Sequence, residues 1–503
     1  MAGKAVVGRV GVVSDHQLAS QVGIEILKRG GNAFDAAIAV SAVLSVVQPH
    51  MGGVGGDAFL LGFIGDEVVA YMSSGRSPSG FNAEEFLEKN PLRGPLTVTI
   101  PGLVHLWGHI HEELATMPLE TLLEPAIKLA YNGFRVGISL AEACSMGEKE
   151  LESYKWTDYF RGLKLGDFYV NREAARALRK IASRGWEELY YGDLAEEAVS
   201  ELQDQGVNVG LDDFMEHESY KVKPLKLEVD GFALYELPPN TQGISTLQLI
   251  SALYELELYR EPFNAPSRVV AWSKPVADVY AFRDKNLGDP DYMSIDPQSY
   301  VKYSTIRETK RSPSDLSNKE RRALGSDTTF FIVSDGEALV GFIQSLFYAF
   351  GSGLIMVGFP VQNRARGFAN EKGLPNSPAP RKLPLHTLSV LGLDAGNEKY
   401  IIGCVGGDLR PQLHLRVFEN VFIYGMRLDK AVAAPRFAYT RFYGEQEVMV
   451  EEPLRAPSKL ESGITAKSVD YLGLMGHVHA GKLSKHSLLL ACDPRSEGLP
   501  LAI

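Results

Sequence analysis

The sequence predicts an α/β protein in which two β-sheets lie between two layers of helix, a four-layer αββα sandwich. Three observations carry this expectation. Residues 330–333, 339–343, 388–393 and 400–405 are short apolar runs, as strands covered on both faces must be. The segment Ala33 to Val47 is small or apolar almost all round, so as a helix it is buried, and its alanines admit close backbone approach. Helical patterns flank the strands at both ends of the chain.

The elements follow in order. A first helix is expected over 18–29, with Lys28 and Arg29 at its negative C-terminal end and Gly30-Gly31 supplying a left-handed cap. Asn32 then caps the buried helix, with Asp35 in its first turn, and Pro49 closes it. A glycine-rich stretch from Met51 to Asp57 leads to a strand over 59–64, a turn at Gly65-Asp66 and a second strand over 68–72. Residues 104–300 read as mostly helical, with amphipathic stretches at 119–131, 173–183 and 247–258. The polar, charged segment 307–322 reads as an exposed, mobile loop. Asp335-Gly336, between two apolar runs, predicts a two-residue hairpin turn. No internal repeat is visible.

Composition narrows the function classes. The chain has 503 residues, 45% hydrophobic and 22% charged, with a formal net charge of -11. That balance argues against binding to nucleic acid and against attraction to anionic membranes. Cys144, Cys404 and Cys492 are too few and too scattered for a disulfide framework or a zinc cluster. The first residues lack the apolar stretch of a signal peptide, and no segment reaches the apolar length of a membrane span. A soluble, cytoplasmic protein is the expectation.

The chemistry centres on Ser326-Asp-Thr-Thr-Phe330, where a threonine opens a buried strand directly after a charged loop. Cleavage between Asp327 and Thr328 would set a free α-amine beside its own hydroxyl. A hydroxyl needs a base to become a nucleophile, and an α-amine of pKa about 7.7–8.0 suits that task near neutrality. The plainer reading is that Thr328 is one more strand threonine. With a two-residue turn at Asp335-Gly336, Thr328 would face Ile343 and lie diagonal to Ser345. A second hydroxyl would then reach the nucleophile or its amine. Ser345 could equally be a structural hydroxyl. Gly406-Gly407 ends the strand over 400–405, and Asp408 can cap the following helix, with Pro411 in its first turn. Backbone N–H groups at such a junction suit an oxyanion hole, although Gly-Gly pairs are also plain turns.

These residues together resemble the γ-glutamyltransferase family. The resemblance begins at Ala19 and runs through Gly31-Asn32-Ala33-x-Asp35-Ala36-Ala37, Gln48-Pro49, Gly55-Gly56 and Pro101-Gly102. It continues at Thr328-Thr329, Asp335-Gly336, Phe350-Gly-Ser-Gly353, Gly406-Gly407 and Ala434-Pro-Arg436, and closes on Asp493-Pro-Arg495. The resemblance implies the αββα fold of N-terminal-nucleophile hydrolases and self-cleavage before Thr328. The products would be a large chain (1–327) and a small chain (328–503) that remain associated as one intertwined unit. It also implies Thr328 as nucleophile, Gly406 and Gly407 as oxyanion donors, and Ser345 as the neighbouring hydroxyl. A small-molecule amide is the implied substrate, with no cofactor and no metal; a homo-oligomer is compatible with it.

The departures from the family pattern bear on substrate. Transferases of the family hold the glutamyl α-ammonium with an Asn, a Gln or Glu, and an Asp. Here those positions read Phe347, Arg364 and Gly367. The serine pair for the α-carboxylate reads His386-Thr387, and Arg76 lies two residues beyond the usual carboxylate-binding arginine. These replacements resemble a sister branch of oxamate amidohydrolase and acylase-like enzymes, marked by Gln344-Ser345, Gln362-Asn-Arg364, Pro384-Leu-His-Thr387 and Gly407-Asp-x-x-Pro-Gln412. Arg364, with Arg76, His386 and Thr387, would then receive a substrate carboxylate. Arg364 could instead sit in a structural ion pair. A true γ-glutamyltransferase or glutathione hydrolase, and a non-catalytic binding scaffold, are the competing readings. A nucleotide loop at Gly52–Gly56 lacks its third glycine and follows a helix. His105 with His109 has the spacing of a metal pair but no evident fourth ligand, and His477-Val-His479 looks isolated. No Gly-x-Ser-x-Gly elbow occurs.

Overall fold

A computed structural model describes residues 3–307, 327–442, 446–457, 464–471 and 475–503. The charged segment expected to form a mobile loop lies, apart from Arg307, outside the described residues. Fourteen strands form two sheets. They are β1 (Lys4–Gly8), β2 (Gly11–Ser14), β3 (Asp57–Ile64), β4 (Glu67–Ser73), β5 (Tyr220–Lys221), β6 (Leu225–Val229) and β7 (Phe232–Glu236), then β8 (Asp327–Ser334), β9 (Ala338–Phe347), β10 (Leu391–Asp394), β11 (Glu398–Val405), β12 (His477–Ser484), β13 (Ser487–Cys492) and β14 (Leu499–Ala502). One seven-stranded sheet has the order β1-β13-β12-β11-β10-β7-β6, the other β14-β2-β8-β9-β3-β4-β5. Both sheets mix strands from before and after residue 327, so the two halves of the chain are interwoven.

Three apolar layers make this the expected αββα sandwich. Phe59, Leu61, Phe330, Ile332, Leu339 and Ile343 of one sheet pack against Ile401, Leu488 and Leu490 of the other. The alternate residues Leu60, Phe331, Val333, Val340 and Phe342 face the opposite way, onto a helical layer. That layer includes α1 (Gln17–Lys28), α2 (Ala33–Val47), α3 (Leu103–Glu113), α4 (Leu119–Asn132) and α5 (Arg172–Arg184). On the far side, Leu391, Leu393, Ile402 and Cys404 pack against α6 (Gly243–Glu255), α7 (Ser273–Asn286) and α8 (Arg410–Phe418). The strand period of two therefore decides which side chains enter the gap between the sheets. A ring such as that of Phe330, fully buried there, stabilises the fold by about 2–3 kcal/mol.

The helix starts form as the sequence dictates. Asn32 accepts from Phe34 N and Asp35 N while Asp35 reaches back to Asn32 N, a complete capping box. Every residue of α2 is buried. His16 is the N-cap of α1, its Nδ1 accepting from Leu18 N at 3.2 Å.

Three expectations are corrected. The hairpin between β8 and β9 has a four-residue connection, because Ser334 pairs with Leu339. Asp335 is the cause: its Oδ1 accepts from Glu337 N and Ala338 N, and its Oδ2 accepts from Ala33 N of α2. The middle segment is mostly helical as expected, with β5, β6 and β7 also falling within it. Helix α6 is not amphipathic; residues 243–253 are all buried between its sheet and neighbouring helices. Asp408 does not cap α8, whose N-cap Leu409 makes no side-chain bond; Asp408 pairs with Arg283 at 2.7 Å.

Candidate active site

Thr328, Ser345 and Asp57 form one row across three adjacent strands. Thr328 pairs with Ser345, and Ser345 pairs with Asp57. Directly paired residues present their side chains on one face. Parity with Phe330, Ile343 and Phe59 places all three in the gap between the sheets. The four-residue turn thus brings Ser345 opposite Thr328 rather than diagonal to it. Thr328 Oγ1 donates to Ser345 Oγ at 3.2 Å, and Phe347 N donates to the same oxygen at 2.8 Å. A bulge lies between Asp327 and Thr328, with Asp327 opposite Phe347. Phe347 itself has φ of 84°, a strained conformation for an aromatic residue and one that concentrates at functional sites.

The glycine pair reaches the same end of the gap. A methyl group on Gly403 would lie 2.3 Å from the Phe330 ring, and one on Gly341, the partner of Ile332, 2.6 Å from Ile401. Running from Ile332 to Thr328 therefore parallels running from Ile401 to Val405, and Gly406-Gly407 follow directly. Gly407 has φ of 50°, which favours glycine, and its carbonyl accepts from Gln242 Nε2 at 2.9 Å.

Asp57 is a residue of the candidate site that sequence reasoning missed. It is fully buried; its Oδ1 accepts from Gln362 Nε2 (2.9 Å) and Gly75 N (3.1 Å). His386 Nδ1 accepts from Leu388 N, so its Nε2 carries the proton and donates to Asp57 Oδ2 at 3.2 Å. Burial holds His386 well below the usual histidine range, in its neutral form. Burial also raises the Asp57 carboxyl to about 7, against the opposing pull of Arg364 and Gln362. The available signal was an aspartate closing a glycine-rich run just before a buried strand.

Arg364 lies in a short turn, fully buried, with its guanidinium carbon 4.5 Å from the centre of the Phe347 ring. Its Nε is 4.0 Å from Asp57 Oδ2, too long for a hydrogen bond. Among the described residues, Nε, Nη1 and Nη2 have no hydrogen-bond partner. Burial lowers its pKa to about 9, partly countered by Asp57. Arg364 is thus a buried cation with a nearby counter-charge and unsatisfied donors.

The other candidates separate from this row. Arg76 is bound by Asp289 (2.8 Å) and Asp291 (3.2 Å), so its charge is already paired within the protein. The geometry gives no support to Arg76 as a carboxylate ligand. The Thr387 carbonyl accepts from Gln242 Nε2 at 2.9 Å and from Arg410, and the residue is 8% exposed. His105 packs on the Trp186 ring and His109 bonds Glu113, so these two do not converge on one point. His477 and His479, isolated in sequence, meet at Asp15.

The αββα sandwich is the fold of the N-terminal-nucleophile hydrolases. Residues 19–503 match the model of the gamma-glutamyltranspeptidase family, and the chain belongs to that family. It is 33% identical to the glutathione hydrolase-like YwrD proenzyme of Bacillus subtilis, over 99% of this chain and 100% of that one. It is 29% identical to the oxamate amidohydrolase proenzyme of Klebsiella pneumoniae, over 97% of each chain. Cephalosporin acylase from Bacillus halodurans has the same fold, with a TM-score of 0.87 at 25% identity, covering 99% of this chain and 97% of that one.

Proposed function

We propose that the protein is a self-processing amidohydrolase whose nucleophile is Thr328 and whose substrate is an amide of a small, carboxylate-bearing acyl group. Arg364 carries this reading: a buried guanidinium with unsatisfied donors beside the Thr328 row is matched by a bidentate carboxylate. In maturation, Thr328 Oγ1 attacks the carbonyl carbon of Asp327, the Asp327–Thr328 C–N bond breaks, and the nitrogen leaves as the new α-amine. Water then hydrolyses the ester, freeing the Asp327 carboxylate. The products are chains 1–327 and 328–503, and the interwoven sheets support their remaining together. In turnover, the α-amine takes the Oγ1 proton as Oγ1 attacks the substrate carbonyl. Gly406 and Gly407 N–H groups stabilise the oxyanion, Ser345 orients Oγ1, and the protonated amine gives its proton to the departing nitrogen. Water hydrolyses the acyl-enzyme; an amine acceptor would give transfer by the same route. The unpaired cysteines support a reducing, cytoplasmic setting.

Two measurements test this reading. Intact mass should give two fragments meeting at Asp327-Thr328, and Thr328→Ala should remain whole and inactive. Continued cleavage of that variant at this bond would rule the mechanism out, and wild type that never cleaves would favour a binding scaffold. Matched glutaryl or oxamate-type and γ-glutamyl amides should differ in kcat/KM, favouring the acyl group without an amine. Asp57, the carboxylate nearest Arg364, already accepts three hydrogen bonds and offsets the Arg364 charge. An α-ammonium beside Arg364 would therefore lack a free partner. A clear preference for γ-glutamyl would make the protein an ordinary transferase or glutathione hydrolase.

A further inference from the structure

The strand that carries Thr328 is incompletely paired. β8 is held along one side by β9 from its first residue. On its other side, among the described residues, β2 pairs only with Ile332, Val333 and Ser334, and β2 ends at Ser14. The first residues of β8 thus run past the end of their neighbour. There the side chain of Asp15, the next residue after β2, takes over: its Oδ2 accepts from Phe330 N at 2.9 Å. Backbone groups two residues apart in a strand point to the same side, so the nitrogen of Thr328 faces this same open edge.

Asp15 is itself tightly held. Its Oδ1 accepts from His477 Nε2 (2.5 Å), His479 Nε2 (2.8 Å) and Ser496 Oγ (3.2 Å). His477 and His479 are two apart on β12, so both rings leave the same face of the opposite sheet. Burial pushes the Asp15 carboxyl up, but the two imidazoles override it and hold it far below the usual range, as an anion. One carboxylate from before residue 327 thereby gathers four donors from after it. The backbone donor belongs to the residue two beyond the nucleophile.

We propose that Asp15 is a positioning residue for the nucleophile. Its carboxylate replaces the missing strand at the open edge of β8 and keeps Thr328 in register with Ser345, while His477, His479 and Ser496 fix the carboxylate. The proposal rests on Thr328 being the nucleophile. After cleavage Thr328 loses its covalent tether on the Asp327 side, and β9 together with Asp15 is then what holds the strand head. Removing Asp15 should therefore act on the chemical step and leave substrate binding nearly unchanged.

The test uses the full-length, self-processed enzyme with active sites titrated, so that unfolded or uncut protein does not enter kcat. Asp15→Ala should lower kcat by about 30-fold or more with KM within about threefold. Asp15→Asn keeps an oxygen for Phe330 N but sets its amide against the imidazole Nε2–H groups, and should recover only part of the loss. Asp15→Glu keeps the charge but moves the carboxylate by one methylene, and should lose kcat without losing stability. If Asp15→Ala does not fold or process, the Asn and Glu variants decide. Wild-type kcat in Asp15→Ala, in both substitutes when Ala fails, or a defect confined to KM or to thermal stability, would overturn the proposal. Failure of the Thr328 reading would look different, because Thr328→Ala would then retain turnover.

Discussion

Asp57→Asn tests the electrostatics of the site most directly. Folding moves the Asp57 carboxyl from 3.8 to about 7, chiefly by burial. The folded state therefore holds this proton more tightly than the unfolded state does. Between those two values the native protein binds more protons, so stability falls as pH rises. The whole window corresponds to about 4 kcal/mol, of which about 2–3 kcal/mol lies between pH 5 and pH 8. Asparagine resembles the protonated carboxyl and does not titrate. It does bring an amide against the Nε2–H of His386, which costs about 1–3 kcal/mol unless the imidazole changes tautomer. That cost is nearly independent of pH above the range where His386 titrates. The informative quantity is consequently the pH slope rather than the absolute stability. Urea unfolding of wild type and Asp57→Asn at pH 5 and pH 8 should show the variant losing about 2–3 kcal/mol less across that interval. Other groups that titrate there contribute to both proteins and cancel. Equal slopes within about 0.5 kcal/mol would mean that Asp57 stays ionised in the native state, and that Arg364 compensates it fully.

Arg364→Ala should weaken carboxylate-bearing substrates by about 1.5–3 kcal/mol in kcat/KM, with little effect on an uncharged acyl analogue; equal losses on both would make Arg364 purely structural. Ser345→Ala removes the partner of Thr328 Oγ1 at 3.2 Å and leaves Phe347 N without its acceptor. It should slow both self-cleavage and turnover, read by timed gels and steady-state rates. Activity should decline as pH falls through an apparent pKa within about one to two of 7.7, where the α-amine gains its proton. Verified N-terminal acetylation of the processed small chain should abolish activity, and retained activity would remove the amine from the mechanism.

Local signals in the sequence translated well where structure is local. The capping box at Asn32 and Asp35 and the uniformly buried helix Ala33–Val47 depend on neighbours within a few residues. The strands beside Thr328 were legible because their apolar runs are long and end in turn residues. The register was not, because it depends on Asp335 making an Asx turn while anchoring α2 302 residues away. The strands β5, β6 and β7 are short and sit among helices, and β6 and β7 alternate too briefly to stand out from amphipathic neighbours.

The polar residues of the site were least legible for a reason that follows from the fold. In this sandwich the gap between the sheets is apolar, and its end is where a strand head can carry a hydroxyl rather than a ring. Any polar group admitted there must find partners on other strands, since its own neighbours point away. Asp57 finds Gln362 and His386 across 305 and 329 residues, and Asp15 finds Phe330 and His479 across 315 and 464. Spacing motifs report helix faces and single turns, so they do not register such pairs. His477-Val-His479 looked isolated because its third member belongs to the opposite sheet and the other end of the chain. The same geometry explains why Arg364 stands apart from Arg76. Arg76 meets Asp289 and Asp291 at a half-exposed edge, where pairing is inexpensive. Arg364 is buried with its donors unsatisfied, and such a group is costly to keep unless an anion completes it. The carboxylate-bearing substrate proposed above would supply that anion beside Thr328.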